Sequence, residues 1–163
     1  ILASAPARIV NVSSESHAQG AIDFDGPYDE KRYGGMRAYS RAKLANVLFT
    51  YALARRLAGH WVTVNALHPG VVASDIGRDM HGVMGFVQNV LVRRTGKSPA
   101  EGAATSIYLA TSPDVEGLTG QYFDNCRAVR SSPSSRDVDI QERLWKTTLS
   151  QIRKSDPMQS FHC

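Results

Sequence analysis

Residues 36–49, MRAYSRAKLANVLF, open a segment whose apolar pattern predicts a helix that continues to about residue 58. One apolar stripe follows the i, i+3, i+4, i+7 period of an amphipathic helix and consists of Leu44, Val47, Leu48 and Tyr51. A second ridge on another face consists of Phe49, Leu53 and Leu57. One stripe is enough to dock a helix on a sheet. The second ridge therefore predicts a further partner: another helix, a second copy of the chain, or a segment outside these residues.

Strand-like segments flank this helix on both sides. ARIVNVSS, residues 7–14, is β-branched and ends in small polar residues, and WVTVNALHPG, residues 61–70, ends in Pro-Gly. Both patterns predict buried strands. Residues 98–112 predict a capped helix because Ser-Pro is followed by Glu at the third helical position. The segment 117–125 predicts a turn and a short strand.

The alternation of strands and helices is typical of an α/β fold with a parallel sheet. We expect a single domain over 1–163, with its core at 7–125 and a terminal helix at about 137–152. Its inward-facing residues would be Ile140, Leu144 and either Leu149 or Trp145. The polar stretch 129–137 and the tail 153–163 are expected to be mobile. Only three strands are recognisable, which is few for a parallel sheet covered on both faces.

The composition excludes several classes of protein. Of 163 residues, 42% are hydrophobic and 21% charged, which is ordinary for a soluble globular domain. The net charge of +4 is scattered, and its densest cluster, Arg93, Arg94 and Lys97, has no interleaved aromatic residues, so no nucleic-acid partner is expected. Cys126 and Cys163 form neither a disulfide framework nor a zinc spacing, which favours a reducing, cytoplasmic compartment. No apolar run reaches the length of a membrane span.

Two short motifs carry candidate chemistry. Tyr39 and Lys43 stand at i and i+4 and therefore share a helix face. A lysine ammonium beside a phenol favours the phenolate, so such a tyrosine can exchange a proton with an alcohol or a carbonyl near neutral pH. Ser13 and Ser14 stand at the carboxyl end of a strand, where a hydroxyl can donate to a carbonyl oxygen. The alternatives are an exposed Tyr/Lys pair and serines that only cap a strand.

A third motif, His68-Pro69-Gly70, ends the next predicted strand. Proline fixes the direction of the chain, and glycine allows the backbone to approach a ligand closely. Val72 and Ser74 follow. Taken alone, this is an ordinary turn, and His68 is more often a structural histidine than a base.

In this order, and on these elements, the three motifs resemble those of the short-chain dehydrogenase/reductase family. The matching stretches are NVSS at 11–14, YSRAK at 39–43 and HPGVVAS at 68–74. The resemblance covers about residues 7–125 and looks closest to the retinol-dehydrogenase-like branch. It implies the C-terminal half of a doubly wound, Rossmann-like parallel sheet with the N-terminal strands missing.

The resemblance also implies an NAD(P)-dependent oxidoreductase that interconverts a lipophilic alcohol and its carbonyl. Ser14 would orient the substrate oxygen, and Tyr39 would be the acid/base. Lys43 would make Tyr39 more acidic and would hydrogen-bond the nicotinamide ribose. Tyr39 would contact the cofactor as well. No metal is implied.

The same resemblance assigns cofactor contacts to the turn after the second strand. Pro69, Gly70 and Val72 would hold the nicotinamide carboxamide through backbone groups, and Ser74 could reach the cofactor amide or phosphates. The cofactor would be NAD or NADP, with a lean to NADP from the family branch.

The family's Gly-rich cofactor loop has no counterpart here, because no G-x-G-x-x-G follows a predicted strand. The residue that selects NAD or NADP and the upstream asparagine of the catalytic tetrad also lack counterparts. We therefore expect these 163 residues alone to be inactive. One alternative is a non-catalytic remnant of the family that acts as a binding or interaction module, and another is an unrelated α/β protein.

Substrate and subunit partners are predicted from two further features. The segments 15–35 and 75–97 would shape the substrate pocket, and their residues Met80, Met84, Phe86 and Val90 favour a lipophilic substrate over a sugar. The second ridge predicts a homodimer through helix 36–58, because the corresponding helix of the family commonly packs against its mate. The alternative is that the helix at 98–112 or a missing N-terminal half covers the ridge.

Overall fold

A computed structural model of the chain describes residues 1–24, 34–72 and 96–154. The strands are β1 (Ala7–Val12), β2 (Val62–His68), β3 (Tyr122–Asp124) and β4 (Arg127–Val129). The α-helices are α1 (Gly35–Arg56), α2 (Pro99–Thr111) and α3 (Val138–Lys154). Single 3₁₀ turns lie at Leu2–Ser4, Glu15–Gln19, Pro113–Val115 and Ser134–Arg136.

The described strands form one sheet in the order β1-β2-β3-β4. β1 and β2 are parallel, β2 and β3 are parallel, and β4 returns antiparallel to β3. The central strand β2 is buried at Val62 and at every residue from Val64 to Leu67, as expected for a parallel strand covered on both faces. The predicted α/β fold class, part of a Rossmann-like sheet, is confirmed.

Each face of the sheet is covered by different helices. On one face, α2 packs through Leu109 against Leu67 and Phe123. On the other face, α1 packs through Val47 against Ala66 and Tyr122. The predicted docking stripe of α1 is thus confirmed.

The second ridge of α1 is contacted by another helix, as one of the predicted alternatives allowed, but this helix is α3 and not the one at 98–112. The ring of Phe49 stacks on Trp145, with centroids 5.6 Å apart and planes 12° from parallel. Glu142 extends the contact by pairing with both Arg55 and Arg56. Phe49 nevertheless remains 40% exposed.

Part of the stretch 129–137, which was expected to be mobile, is instead buried and hydrogen-bonded. Ser131, Ser132 and Ser135 are buried, and the Ser131 hydroxyl hydrogen-bonds with the hydroxyl groups of Tyr51 and Ser135 at 2.7 and 2.8 Å. Polar residues can be buried there because each hydroxyl finds a partner. Of the predicted inward residues of α3, Ile140, Leu144 and Trp145 are half-buried, whereas Leu149 is 38% exposed. Gln141, which was not predicted, is buried, and its amide donates to the Ser135 carbonyl.

Several predictions fall on residues outside the described part of the chain. These are Ser74, the residues Met80, Met84, Phe86 and Val90, and the tail beyond Lys154. The capped helix at 98–112 is confirmed: Ser98 and Glu101 form a reciprocal capping box with Pro99 in the first turn of α2.

Candidate active site

Two predicted motifs leave the sheet at the same edge, because β1 and β2 are parallel and in register. Val12 lies opposite Leu67, and the N–H of Ser13 donates to the Leu67 carbonyl at 2.7 Å. Ser14 and the turn that begins at His68 therefore emerge side by side. This is the carboxyl edge, where ligands of open α/β sheets bind.

The two serines have different roles in the structure. Ser13 is 2% exposed, and its hydroxyl donates to the backbone carbonyl of Lys43 at 2.7 Å, which ties β1 to α1. Ser14 is half-buried, and its Oγ accepts a hydrogen bond from the Ser16 N–H at 3.2 Å. Because Oγ is the acceptor there, the Ser14 hydroxyl keeps its own proton to donate.

Tyr39 and Lys43 lie on one face of α1, next to the end of β1. The Lys43 ammonium is 5.5 Å from the centroid of the Tyr39 ring and donates to the Val12 carbonyl at 3.3 Å. Asn46, one turn further along, donates to the same carbonyl at 3.0 Å. The last peptide of β1 thus fixes the lysine beside the tyrosine. Asn46 was not predicted as part of the site.

The turn after β2 is closed by its own histidine. The N–H of Gly70 donates to His68 Nδ1 at 3.1 Å, so Nε2 carries the ring proton and faces Asp124 Oδ1 at 3.6 Å. His68 therefore holds the backbone of the turn.

Gly70 has a backbone conformation that favours glycine, and it lies close to the end of a lysine side chain. Its φ is +84°, and an added Cβ would lie 2.9 Å from the end of the Lys97 side chain. Lys97 in turn donates its N–H to the Val71 carbonyl and its ammonium to Asn125. Among the described residues, the Lys97 side chain is thus the group closest to an added Cβ at Gly70. Lys97 was not predicted at this turn; the sequence singled it out only as a member of the basic cluster with Arg93 and Arg94.

His17 also lies at this edge and was not among the predicted site residues. Its Nδ1–H donates to the Ser14 carbonyl at 2.8 Å, and its ring lies 4.8 Å from that of Tyr122. Burial lowers the pKa of His17, despite the opposing effect of the Ser14 carbonyl. Burial, assisted by the Asp124 carboxylate, raises the pKa of Tyr122. A lone histidine in a polar segment gives no sequence signal for such a role.

The chain is similar in sequence to several known proteins. A family model described as Enoyl-(Acyl carrier protein) reductase matches residues 3–124. Retinol dehydrogenase 14 of Homo sapiens is 48% identical over 145 residues, which is 87% of this chain. The chain belongs to the short-chain dehydrogenase/reductase family. Retinol dehydrogenase 12 of Homo sapiens is 45% identical over 145 residues and 89% of this chain. The resemblance to the retinol-dehydrogenase-like branch is confirmed.

A solved structure has a similar fold. An uncharacterized protein from Mycobacterium paratuberculosis aligns with a TM-score of 0.63 and 25% identity, over 88% of this chain and 49% of that one. Likewise, the chain spans 43% of the human retinol dehydrogenase 14 and 45% of the human retinol dehydrogenase 12. It therefore corresponds to less than half the length of these family members.

The described residues include neither a membrane-spanning helix nor a metal-binding cluster. Within residues 1–24, 34–72 and 96–154, no helix combines the length and the apolar character needed to cross a bilayer. The same residues contain no cluster of three or more His, Cys, Asp or Glu side chains placed to hold a metal ion.

Proposed function

We propose that the protein to which these residues belong is an NAD(P)-dependent oxidoreductase that interconverts a lipophilic alcohol and its carbonyl. The observation that carries this proposal is the position of Lys43, held between the last carbonyl of β1 and the ring of Tyr39. An ammonium placed there by a backbone contact stabilises negative charge on a phenol one helical turn away.

In the proposed reaction, each residue handles a proton or a hydrogen bond. When the alcohol is oxidised, the Tyr39 oxygen takes the hydroxyl proton, and in the reverse direction it returns that proton to the carbonyl oxygen. Ser14 donates a hydrogen bond to the same substrate oxygen, which stabilises the negative charge that develops on it. Lys43 stabilises the phenolate. A bound nicotinamide supplies or accepts the hydride.

The donor set of the described residues fits the nicotinamide end of such a cofactor. Lys43 spends one of its three N–H donors on Val12, which leaves donors for ribose hydroxyl groups. A carboxamide needs one acceptor and one donor, and the Gly70 N–H is already bonded to His68. Among the described residues, the Pro69 carbonyl and the Val72 N–H are therefore the better candidates. Ser74 is retained as a proposal from the resemblance.

The choice between NAD and NADP stays open, with a lean to NADP from the family branch. We propose that residues 1–163 alone do not convert an alcohol or carbonyl substrate, because they contain no Gly-rich loop to bind the cofactor phosphates. The names of the relatives and the apolar residues in 75–97 favour a lipophilic substrate such as a retinoid. Cysteine usage alone supports the cytoplasm as the predicted compartment.

A homodimer through α1 also stays a prediction, but less of the second ridge is left for a second copy to cover. Phe49 was expected to need a partner, and Trp145 of the same chain already supplies one face of contact. A second copy would therefore meet the remaining exposed part of Phe49 together with α3. The alternative function, a non-catalytic interaction module, would use such a surface without turnover.

A comparison of tyrosine variants tests the proposed function. Reading the DNA upstream of Ile1 defines the continuous reading frame, and its product is assayed with retinal or retinol and each nicotinamide cofactor. Tyr39→Phe should reduce kcat by roughly 100- to 10,000-fold, because it removes the acid/base. Tyr108→Phe, on the opposite face of the sheet, is the matched control and should retain the wild-type rate.

Two results would contradict the proposed oxidoreductase activity: full activity of Tyr39→Phe, and absence of turnover by the wild-type product with both cofactors. Turnover by residues 1–163 alone would contradict only the proposal that these residues are inactive by themselves. Absence of turnover with the fold intact would instead favour the interaction module.

A further inference from the structure

A concave surface that shares no residue with the candidate active site lies beside the C-terminal part of α1. It is a groove of about 720 Å³ between the C-terminal part of α1, the start of β3, the end of β4 and the start of α3. Tyr51 at its wall follows Tyr39 by twelve residues of helix, which places them about 18 Å apart along the axis. Arg130 at its rim follows Val129, which pairs with the first residue of β3. On its wall, Gly120 donates its N–H to the Val64 carbonyl in the middle of β2, so the groove is set back from the carboxyl edge of the sheet, where Ser14 and His68 lie.

The charge of this groove has one sign. Three arginines line it, Arg55, Arg130 and Arg136, and no aspartate or glutamate is among its lining residues. Arg55 is already neutralised by Glu142, which lies outside the lining. Among the described residues, no salt bridge reaches Arg130 or Arg136. Two guanidinium groups are therefore available to an anion.

The position of these arginines is partly fixed by the buried serine segment. Arg136 uses its Nε–H to donate to the Ser131 carbonyl at 3.2 Å, which leaves its terminal nitrogens free to donate elsewhere. Ser131 also hydrogen-bonds with the Tyr51 hydroxyl at the wall of the groove. This network anchors one cation before any ligand arrives, and preorganisation of this kind lowers the entropic cost of binding.

The rest of the lining has an apolar part and a polar part. The apolar part consists of Ala54, Ala128, Val129 and Val138, and the polar part includes Thr119, Gln121, Ser131 and Gln141. Val129 and Val138 are 42% and 52% exposed, so their side chains present apolar surface beside the arginines. The volume lies within the range of pockets that hold small organic ligands.

We propose that this groove binds an amphipathic anion, with a carboxylate or similar head on Arg130 and Arg136 and an aliphatic body on Val129 and Val138. A free fatty acid has this chemistry. The inference does not depend on the proposed oxidoreductase activity, because the groove and the candidate active site share no residue.

Calorimetric titration of the chain with decanoate below its micelle concentration tests the proposal. Decanol and acetate are the matched probes, since the first lacks the charge and the second lacks the tail. Decanoate should bind at least about tenfold more tightly than either, because only it satisfies both parts of the groove. Amide resonances of Gly120, Gln121 and Val129 should shift on binding.

Arginine variants complete the test. Arg130→Gln should weaken decanoate binding about five- to tenfold. Arg37→Gln, an exposed arginine in the first turn of α1, is the matched control and should bind as the wild type does. Arg136→Gln should also weaken binding, with thermal unfolding recorded to separate lost binding from lost folding. Equal binding of decanol or acetate, or unchanged binding by Arg130→Gln, would overturn the proposal.

Discussion

The imidazole of His17 accepts a hydrogen bond from the backbone N–H of Ser132, a residue 115 positions further along the chain. The other ring nitrogen of His17 donates to the Ser14 carbonyl at the end of β1. One neutral imidazole thus connects the candidate substrate-binding serine to the C-terminal segment. Both bonds require the tautomer with the proton on Nδ1.

This arrangement predicts a loss of stability in mild acid. Burial lowers the pKa of folded His17 below its ordinary value of 6.5. The unfolded chain therefore binds more protons at this site below pH 6.5, and the free energy of unfolding falls as the pH drops from there towards the folded pKa. The nearby groups that influence this titration are His68 and Glu15. Thermal unfolding of the chain between pH 7.5 and 5.5 measures the effect.

Two histidine variants test whether His17 causes this pH dependence of stability. His17→Gln should be less stable at pH 7.5 but lose less stability on acidification. His60→Gln, at an exposed position, should retain the wild-type pH dependence. If His17→Gln has the same slope as the wild type, the effect belongs to another group.

The hydroxyl of Tyr51 anchors the buried serine segment to α1. Tyr51→Phe removes its hydrogen bond to Ser131, while the bond between Ser135 and Ser131 stays. We expect the free energy of unfolding to fall by about 1 kcal/mol. Urea unfolding measures it, with Tyr108→Phe as the control that should change nothing. An unchanged midpoint for Tyr51→Phe would show that water replaces the lost partner.

Gly20 allows the segment after β1 to lie directly against α1. A Cβ at this position would be 2.5 Å from the Ser40 carbonyl oxygen and 2.8 Å from the Leu44 Cβ. Gly20→Ala should therefore destabilise the fold by about 1–3 kcal/mol, since neither backbone can yield without moving the helix that carries Tyr39. Gly35→Ala is the control, because an added Cβ there meets no atom within 4 Å. Equal stabilities of the two variants in urea unfolding would contradict this packing.

The parts of the fold that could be predicted from the sequence are those with local, repeated signals. The stripe of α1 has helical periodicity, and the start of α2 has the Ser98 and Glu101 spacing of a capping box. Tyr39 and Lys43 could be paired because four residues of helix fix their relation.

The remaining features depend on contacts between distant parts of the sequence. The bond from Ser132 to His17 spans 115 positions, and that from Tyr51 to Ser131 spans 80. Neither leaves a periodic pattern in the sequence. β4 is three exposed residues long, which is too short for an alternation to be recognised. The serine segment was taken as mobile because its composition is polar, whereas its burial depends on partners supplied by α1 and α3.

The stacked pair of Phe49 and Trp145 gives the last prediction. Trp145 also lies under the guanidinium of Arg56, 4.2 Å from the ring centroid. Trp145→Ala should cost about 1–2 kcal/mol in the free energy of unfolding, the combined effect of one aromatic pair and one cation–π contact. Because Phe49 would then be uncovered, light scattering should show increased self-association. Trp61→Ala is the matched control, since Trp61 is 80% exposed and its removal should alter neither quantity. If Trp145→Ala changes neither, α3 does not stabilise the second ridge, and the homodimer through α1 becomes the better explanation for it.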